Sequence, residues 1–282
     1  MNTGARDPQT LRLTTGQLLP DLRIAPSSEI FTHEDHDPVR VDRLVARLRE
    51  DGVLRNPPVA APLSDGGYVV LDGANRAGAL ASFGIAAIPL QVVDYNDAGV
   101  ELKVWHHFVV GGADLSSRMS GAGLTLETLS MHEAEEGLSG RALACYLVMK
   151  DTILGVRSGS ALGISLARVV AAYRGSARIY RVQGGTHAEL ARSFGTDGTL
   201  IVFPSFTKED IVAFARARVK LPTGITRHVI SGRALRLNLA LDALSKPGGL
   251  EEKNRWLSDL IRQMLLNNRI RYYPEATFLF DE

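Results

Sequence analysis

The spacing of apolar residues along the first third of the chain predicts short strands that alternate with two helices. Val41, Leu44, Val45 and Leu48 recur at helical intervals, and the helix they predict ends at an Asp-Gly pair, residues 51–52. Short apolar runs predict strands at residues 22–24, 59–63, 68–71 and 88–93. A second helix starts after the run at 68–71 and is closed by Gly84. The alternation predicts a compact α/β unit of about domain size.

Beyond this unit, the pattern predicts a mixture of strands and helices without internal repeats. Residues 143–148 and 152–156 predict a hairpin, and Thr207 with Asp210 three residues later predicts a capped helix start. Two further helices carry apolar stripes, which comprise Leu162, Leu166, Val169, Val170 and Tyr173 in the first and Trp256, Leu257, Leu260, Ile261 and Met264 in the second. Residues 276–280 follow as a predicted strand.

These elements predict an α+β fold with two domains, which a chain of 282 residues with 45% hydrophobic content can support. We predict a loose leader at residues 1–20, an N-terminal α/β domain at 21–112 and a second mixed α/β domain at 113–282. Glycine-rich stretches at 111–112 and 121–123 supply the expected linker.

Charge and cysteine content exclude several classes of protein. A net charge of +1 gives no overall field that would attract nucleic acid, so any anion affinity must come from local arginines. No apolar run approaches the ~20 residues that span a bilayer, and residues 1–17 lack the apolar core of a signal peptide. The single cysteine, Cys145, excludes an internal disulfide and a cysteine-based zinc site. We therefore predict a cytoplasmic protein without nucleic-acid or membrane partners.

The most informative local pattern is a strand that ends in Asp72-Gly73 and turns directly into a helix. The first N–H groups of a helix have no partners within it and carry the positive end of its dipole, so such a turn binds anions. Arg76 in the first turn adds a planar guanidinium that suits a phosphate oxygen. The alternative is a tight turn with a purely structural role.

A series of motifs in this region resembles a ParB/sulfiredoxin-type domain. The series comprises the helix at 41–53, Asn56-Pro57-Pro58-Val59, residues 67–73, Asn75-Arg76 and Ile88-Pro89-Leu90. Sulfiredoxins carry a reactive cysteine inside the glycine turn, where this chain has Ala74. Partitioning proteins continue into a helix-turn-helix unit, whereas residues after 123 predict a hairpin and strands with little clustering of lysine or arginine. Both activities are therefore disfavoured.

Nearly the whole chain is similar to a third branch of that superfamily, the free L-serine kinases of siderophore pathways and their archaeal ADP-dependent relative. The matching motifs are His33-Glu34, Asp72-Gly73 with Arg76, Trp105-His106-His107, and the long run at residues 221–235. The chain departs from the family at Asn75, where histidine is usual. The resemblance implies phosphorylation of free L-serine to O-phospho-L-serine by ATP or ADP, for a siderophore or other specialised metabolite. The alternative is a ParB-like nucleotide-binding regulator without kinase activity.

The resemblance also implies roles for residues of the first half. Glu34 is the candidate base for the serine hydroxyl, against the alternative of a solvated loop carboxylate. Asp72 is the second catalytic candidate and would hold Mg²⁺ or the hydroxyl, against the alternative of a helix N-cap. Nucleotide binding is assigned to Gly73, Ala74, Asn75 and Arg76. The departure at Asn75 leaves open how the terminal phosphate is bound and whether the donor is ATP or ADP.

The amino-acid substrate needs groups that recognise its carboxylate. Thr226, Arg227 and His228 offer a hydroxyl, a guanidinium and a ring nitrogen, but on a strand Arg227 would face away from the other two. They converge only in a loop, which Pro222 and Gly224 favour. The substrate set also includes Trp105, His107 and Arg233. Core packing is the alternative for Trp105, and a surface ion pair is the alternative for Arg227 and Arg233.

Overall fold

A computed structural model of the protein describes residues 11–13, 15–111, 114–159 and 161–275. The described residues divide into two compact units, each assembled from separate stretches of the chain. The first unit combines residues from Met1–Ile30, Pro38–Val100 and Ile230–Glu282, and the second combines Phe31–Asp37 with Glu101–Val229. The units therefore alternate along the sequence, whereas the predicted domains follow one another.

The described elements up to residue 92 are mostly strands, with two α-helices between them. They are β1 (Asp21–Pro26), a 3-10 turn (Ser27–Glu29), β2 (Ile30–Thr32), α1 (Pro38–Asp51), β3 (Val53–Leu54), β4 (Val59–Pro62), β5 (Tyr68–Asp72), α2 (Ala74–Ser82) and β6 (Ala87–Val92). β1, β4, β5 and β6 match the four predicted apolar runs, and α1 ends at the predicted Asp-Gly pair, whereas the short strands β2 and β3 were not predicted.

Strands also outnumber helices in the remainder of the described chain. Its strands are β7 (Val100–Val104), β8 (His106–Val110), β9 (Leu126–Thr128), β10 (Leu143–Val148), β11 (Ile153–Arg157), β12 (Arg178–Val182), β13 (Thr199–Val202), β14 (Thr226–Ile230) and β15 (Leu239–Ala240). Its helices are α3 (Leu115–Gly121), α4 (Met131–Ser139), α5 (Leu162–Ala171), α6 (His187–Phe194), α7 (Lys208–Ala217), α8 (Leu241–Ser245) and α9 (Leu250–Leu266).

The first unit is built on a sheet in which β1, β6, β4 and β5 are neighbours in that order. β4 runs parallel to β6, and the pairs β1–β6 and β4–β5 are antiparallel. The C-terminal stretch completes this unit: β15 pairs with β3, and the Asn254 amide on α9 bonds both the N–H and the carbonyl of Ile24 at 2.8 Å. Leu80, Leu90 and Leu239 are fully buried in the shared core.

The second unit contains an antiparallel sheet with the strand order β12-β8-β13-β10-β11-β9. Phe108 on β8 is fully buried and stacks on Phe194, which in turn stacks on Tyr180. The predicted hairpin is confirmed as β10 and β11. The predicted capping box at Thr207 and Asp210 is also confirmed at the start of α7.

The predicted mixture of α and β elements is confirmed for the residues that the structure describes. The helices expected from apolar stripes are α5 and α9, and the first of them ends two residues before Tyr173. The predicted strand at 276–280, residues 1–10 of the predicted leader and Gly112 lie outside the described residues. Both Gly111 and residues 121–123 belong to the second unit. No helix within the described ranges is long and apolar enough to cross a membrane.

Candidate functional site

The turn after β5 has the geometry that an anion-binding turn requires. α2 begins at Ala74, and its N-cap is Gly73, which adopts the left-handed conformation with φ of 99°. No side chain caps this end of the helix, so the interpretation of Asp72 as an N-cap is wrong. Asn75 and Arg76 complete the first turn, where a helix presents N–H groups outward.

Asp72 is engaged by two arginines of the same unit. The Oδ2 atom of Asp72 accepts from Arg76 Nη2 at 2.5 Å and also from Arg233 Nη2, a residue far along the sequence. Arg76 additionally donates to the carbonyl of Asn56 at 3.3 Å. A Cβ on Gly73 would lie 2.8 Å from Arg76 Nη2, so glycine leaves room for the guanidinium. The turn and the Asp72, Arg76 and Arg233 side chains are called the arginine cluster below.

The charge of the arginine cluster suits an anion better than a metal ion. Burial alone would raise the pKa of Asp72, but the positive charges of Arg76 and Arg233 outweigh it and hold the pKa below its ordinary value. One carboxylate against two guanidinium groups leaves a net charge of +1. The described residues include no group of three or more His, Cys, Asp or Glu side chains that would hold a metal. The donor set at Asp72 therefore does not fit the predicted Mg²⁺.

Glu34 lies in the second unit, on a short segment that pairs with Leu221. The Leu221 N–H donates to the His33 carbonyl at 2.8 Å, and the Asp35 N–H donates to the Leu221 carbonyl at 2.8 Å. These two bonds flank Glu34 and fix its backbone as if it belonged to a strand.

The carboxylate of Glu34 is bound by three donors. Its Oε1 accepts from the Thr226 N–H at 2.8 Å and from the Thr226 hydroxyl at 2.5 Å, while Oε2 accepts from the Gly224 N–H at 3.3 Å. The Thr226 hydroxyl donates its one hydrogen bond to Glu34. In the 2.8 Å contact with His33 the hydroxyl is therefore the acceptor, and His33 Nε2–H is the donor. The alternative of a solvated loop carboxylate is therefore wrong. Glu34, Thr226 and Gly224 are called the glutamate cluster below.

Residues 226–230 form a strand, so the expectation of a loop at Thr226, Arg227 and His228 is wrong. Thr226 and His228 are buried on one face of β14, and the His228 ring meets the His33 ring edge-on, with 5.4 Å between centroids. Arg227 points the other way, with its guanidinium carbon 4.3 Å from the centroid of the Trp105 ring. The three consecutive residues do not converge.

His107 is buried, with partners on both ring nitrogens. Its Nε2 lies 3.0 Å from the Gly224 carbonyl and its Nδ1 lies 2.7 Å from the Tyr173 hydroxyl. Burial lowers the pKa of His107 to about 4, so the ring is neutral, and the carbonyl fixes the proton on Nε2. The Tyr173 hydroxyl then donates to Nδ1. His107 has no nitrogen left for a substrate and instead fixes Gly224, whose N–H binds Glu34.

Sequence reasoning missed two parts of this arrangement. Tyr173 carries the hydroxyl that orients His107, but in the sequence it is only one member of an apolar stripe. Gly224 has φ of 89° and packs against the Arg181 guanidinium, which leaves no room for a Cβ. A tyrosine in a stripe of aliphatic residues was the available signal, because a buried phenol needs a hydrogen-bond partner.

Comparison with known proteins finds relatives over most of the chain, although no family model matches it. The chain is 25% identical over 262 residues to the ATP-dependent L-serine kinase SbnI of Staphylococcus aureus, which covers 93% of this chain and 97% of that protein. An ATP-dependent L-serine kinase of Staphylothermus marinus is 31% identical over 84 residues, covering 29% of this chain and 33% of that protein.

Solved structures show the same fold. A C-terminally truncated SbnI from Staphylococcus aureus superposes with a TM-score of 0.71 at 24% identity, covering 86% of this chain and 97% of that one. A free serine kinase in complex with AMP gives a TM-score of 0.71 at 18% identity, covering 86% and 98%. A variant of a free serine kinase with one glutamate replaced by alanine is a further structural neighbour, in complex with ADP.

Proposed function

We propose that this protein is a kinase that transfers a phosphoryl group from ATP to the hydroxyl of free L-serine and forms O-phospho-L-serine. The observation that carries the proposal is the similarity to an L-serine kinase over 93% of this chain and 97% of that protein. Similarity of that extent includes both units and the segments that alternate between them. Supply of a siderophore or other specialised metabolite stays a prediction, as does a ParB/sulfiredoxin origin for the first unit.

The arginine cluster is the proposed binding site for the phosphates of the nucleotide. Its net positive charge and the start of α2 both favour an anion. The backbone of Gly73, Ala74, Asn75 and Arg76 would supply N–H donors, and this does not require the histidine that Asn75 replaces. Because Arg233 shares the Asp72 oxygen with Arg76, we assign it to the nucleotide rather than to the amino acid. Mg²⁺ belongs to the substrate, as the magnesium complex of the nucleotide.

Glu34 is the proposed general base. Its Oε2 has a single donor at 3.3 Å, whereas Oε1 has two shorter ones, so Oε2 is the oxygen that would accept the serine proton. As the proton moves to Glu34, the serine oxygen forms a bond to the terminal phosphorus, and the bond from that phosphorus to the leaving nucleotide breaks. The donors on Glu34 keep the carboxylate in one orientation, which a positioned base requires.

Recognition of the serine carboxylate is proposed for Arg227, with Trp105 as the surface that orients it. The ring contact fixes one face of the guanidinium and leaves its N–H edge for a carboxylate. Thr226 and His228 lie on the opposite face of β14. Thr226 already donates to Glu34, so we assign it to positioning the base.

A direct assay tests the proposal. The purified protein is incubated with ATP or ADP, Mg²⁺ and, in separate reactions, L-serine, D-serine, L-threonine or L-homoserine, and the product is detected by phosphorus NMR. We expect O-phospho-L-serine from L-serine with ATP. Nucleotide binding without any phosphorylated amino acid would overturn the kinase and favour the ParB-like regulator.

A further inference from the structure

The segment that carries Arg233 lies between β14 and β15 and has no regular secondary structure. Three of its residues adopt the left-handed conformation, Gly232 with φ of 64°, Arg236 with φ of 55° and Asn238 with φ of 52°. A backbone of this kind is not fixed by helix or sheet bonds along its length. Something else must therefore fix the guanidinium of Arg233 at Asp72.

Gln91 supplies two hydrogen bonds to this segment, one on each side of Arg233. Its side-chain Nε2 donates to the Gly232 carbonyl at 3.0 Å, and its Oε1 accepts from the Ala234 N–H at 2.8 Å. A primary amide can pair with a peptide chain in this manner because it offers a donor and an acceptor in one plane. Gln91 thus acts on the backbone as a neighbouring strand would.

The burial of Gln91 makes this pairing costly to lose. Gln91 is 3% exposed and lies on β6 next to Leu90, which is fully buried. A buried amide without hydrogen-bond partners is strongly disfavoured, so the side chain and the segment fix each other. A second anchor lies further along, where Asn56 Oδ1 accepts from the Arg236 N–H at 2.8 Å.

We infer that Gln91 is a positioning residue for Arg233, which it keeps on Asp72 by bonding the peptide groups on both sides of that arginine. Through Arg233 it sets the strength with which the arginine cluster binds an anion. The consequence for nucleotide rests on the proposed function, whereas the consequence for Asp72 does not.

The first test measures the pKa of the Asp72 carboxyl group by carbon NMR in four proteins: the natural chain, Gln91→Met, Arg233→Ala and the double variant. Methionine keeps the length of glutamine and removes both hydrogen bonds. We expect the pKa of Asp72 to rise in Gln91→Met and in Arg233→Ala, with no further rise in the double variant, because both changes act through one arginine. An unchanged pKa in Gln91→Met, or additive rises, would overturn the inference.

The second test measures ATP affinity by calorimetry in the same four proteins. Arg233→Ala is expected to weaken binding about tenfold, Gln91→Met somewhat less, and the double variant no more than Arg233→Ala. Additive losses would contradict action through Arg233. If the natural chain binds no nucleotide, the proposed function fails, and the NMR cycle still decides the role of Gln91.

A matched control separates positioning from stability. Asn254 makes the same kind of double amide pairing in the same unit, with the N–H and carbonyl of Ile24. Asn254→Leu should lower stability without changing the pKa of Asp72 or the affinity for ATP. If Gln91→Met does not fold, Gln91→Asn keeps a neutral amide that is one methylene too short to bond both peptide groups, and it should show a smaller rise in the same pKa. An Asn254→Leu protein with the same changes as Gln91→Met would overturn a specific role for Gln91.

Discussion

Two carboxylates anchor the two clusters, and they differ in the charge of the groups that bind them. Asp72 accepts from two guanidinium groups, so the arginine cluster carries a net positive charge. Glu34 accepts from two backbone N–H groups and one hydroxyl, all neutral, so the glutamate cluster keeps its negative charge. Charged donors neutralise a carboxylate and leave the cluster positive, whereas neutral donors orient the carboxylate and leave its negative charge uncompensated.

We assign proton transfer to Glu34 and nucleotide binding to the arginine cluster. Glu34→Gln tests the first assignment and has the largest expected effect. Glutamine keeps the size and much of the hydrogen bonding but cannot accept the serine proton. Turnover should fall at least about a hundredfold with little change in substrate affinity. The measurement is steady-state formation of phosphoserine together with calorimetric ATP binding.

A neighbouring carboxylate provides the control for this variant. Asp35 is exposed and lies 3.8 Å from Lys220, so Asp35→Asn should retain turnover. Close to full turnover of Glu34→Gln in saturating substrates would contradict the assignment of the base. Asp72→Asn would then be the next variant for the same assay.

If the arginine cluster binds the nucleotide, Arg76→Ala should weaken nucleotide binding about ten- to a hundredfold. Arg76 is a charged donor in the first turn of α2, and loss of such a partner costs on the order of 1.5–3 kcal/mol. Calorimetry with ATP measures the effect, and Arg55→Ala is the control because Arg55 is an exposed arginine that pairs with Asp51 at 3.1 Å. An affinity equal to that of the natural chain would count against the arginine cluster as the nucleotide site.

Arg227→Ala tests whether Arg227 binds the amino acid or the nucleotide. If Arg227 binds the serine carboxylate, the KM for serine should rise about tenfold while the affinity for ATP stays nearly constant. Arg227→Lys should recover part of the loss, because lysine keeps the charge without the planar fork. The opposite pattern, with ATP affinity lost and the serine KM kept, would move Arg227 to the phosphates.

The arginine cluster was partly predictable because its first half is local in sequence. Apolar runs and turn residues predict the strand that ends in Asp72, the left-handed Gly73 and the helix that carries Arg76. Arg233 was expected to serve the amino acid, and its contact with Asp72 spans 161 positions. The periodicity of apolar residues cannot predict a contact of that kind. The contacts of Gln91 with the segment around Arg233 were equally unpredictable, because in the sequence Gln91 is only one residue of a predicted strand.

Glu34 and Thr226 of the glutamate cluster were candidate site residues from the sequence, but the contact of Gly224 with Glu34 and the arrangement of the three residues were not predicted. Pro222 and Gly224 favoured a loop, but both precede Thr226, and the strand begins after them. The alternation of a strand then places Arg227 away from Thr226 and His228. His107 was expected to bind substrate, whereas its two partners, Tyr173 and the Gly224 carbonyl, are 66 and 117 positions away. Side-chain networks across such separations require the folded structure.

The buried, neutral His107 predicts that the free energy of unfolding depends on pH. Burial lowers the pKa of His107 to about 4, so an unfolded chain takes up this proton at higher pH than the folded one. The stabilisation is complete above about pH 6.5 and is lost as the pH falls toward 4, by up to about 1.4 kcal/mol per pH unit. Urea unfolding across this range measures the slope, which should be shallower in His107→Gln. Equal slopes in the two proteins would contradict a neutral His107.

Tyr173→Phe is the smallest change and tests whether the glutamate cluster depends on its support. The variant removes the hydroxyl that donates to His107 and leaves a fully buried ring in place. An unpartnered buried nitrogen costs about 1 kcal/mol or somewhat more, so urea unfolding should show a loss of that size. Because His107 would still bond the Gly224 carbonyl, turnover should fall less than tenfold and ATP affinity should not change.

Tyr180→Phe is the control. In the described part of the chain the Tyr180 hydroxyl contacts the exposed Arg178 at 3.4 Å, so loss of this hydroxyl should cost less than about 0.5 kcal/mol of stability. A loss of turnover in Tyr173→Phe as large as in Glu34→Gln would mean that His107 takes part in the reaction directly, and the division between a base and its neutral support would fail.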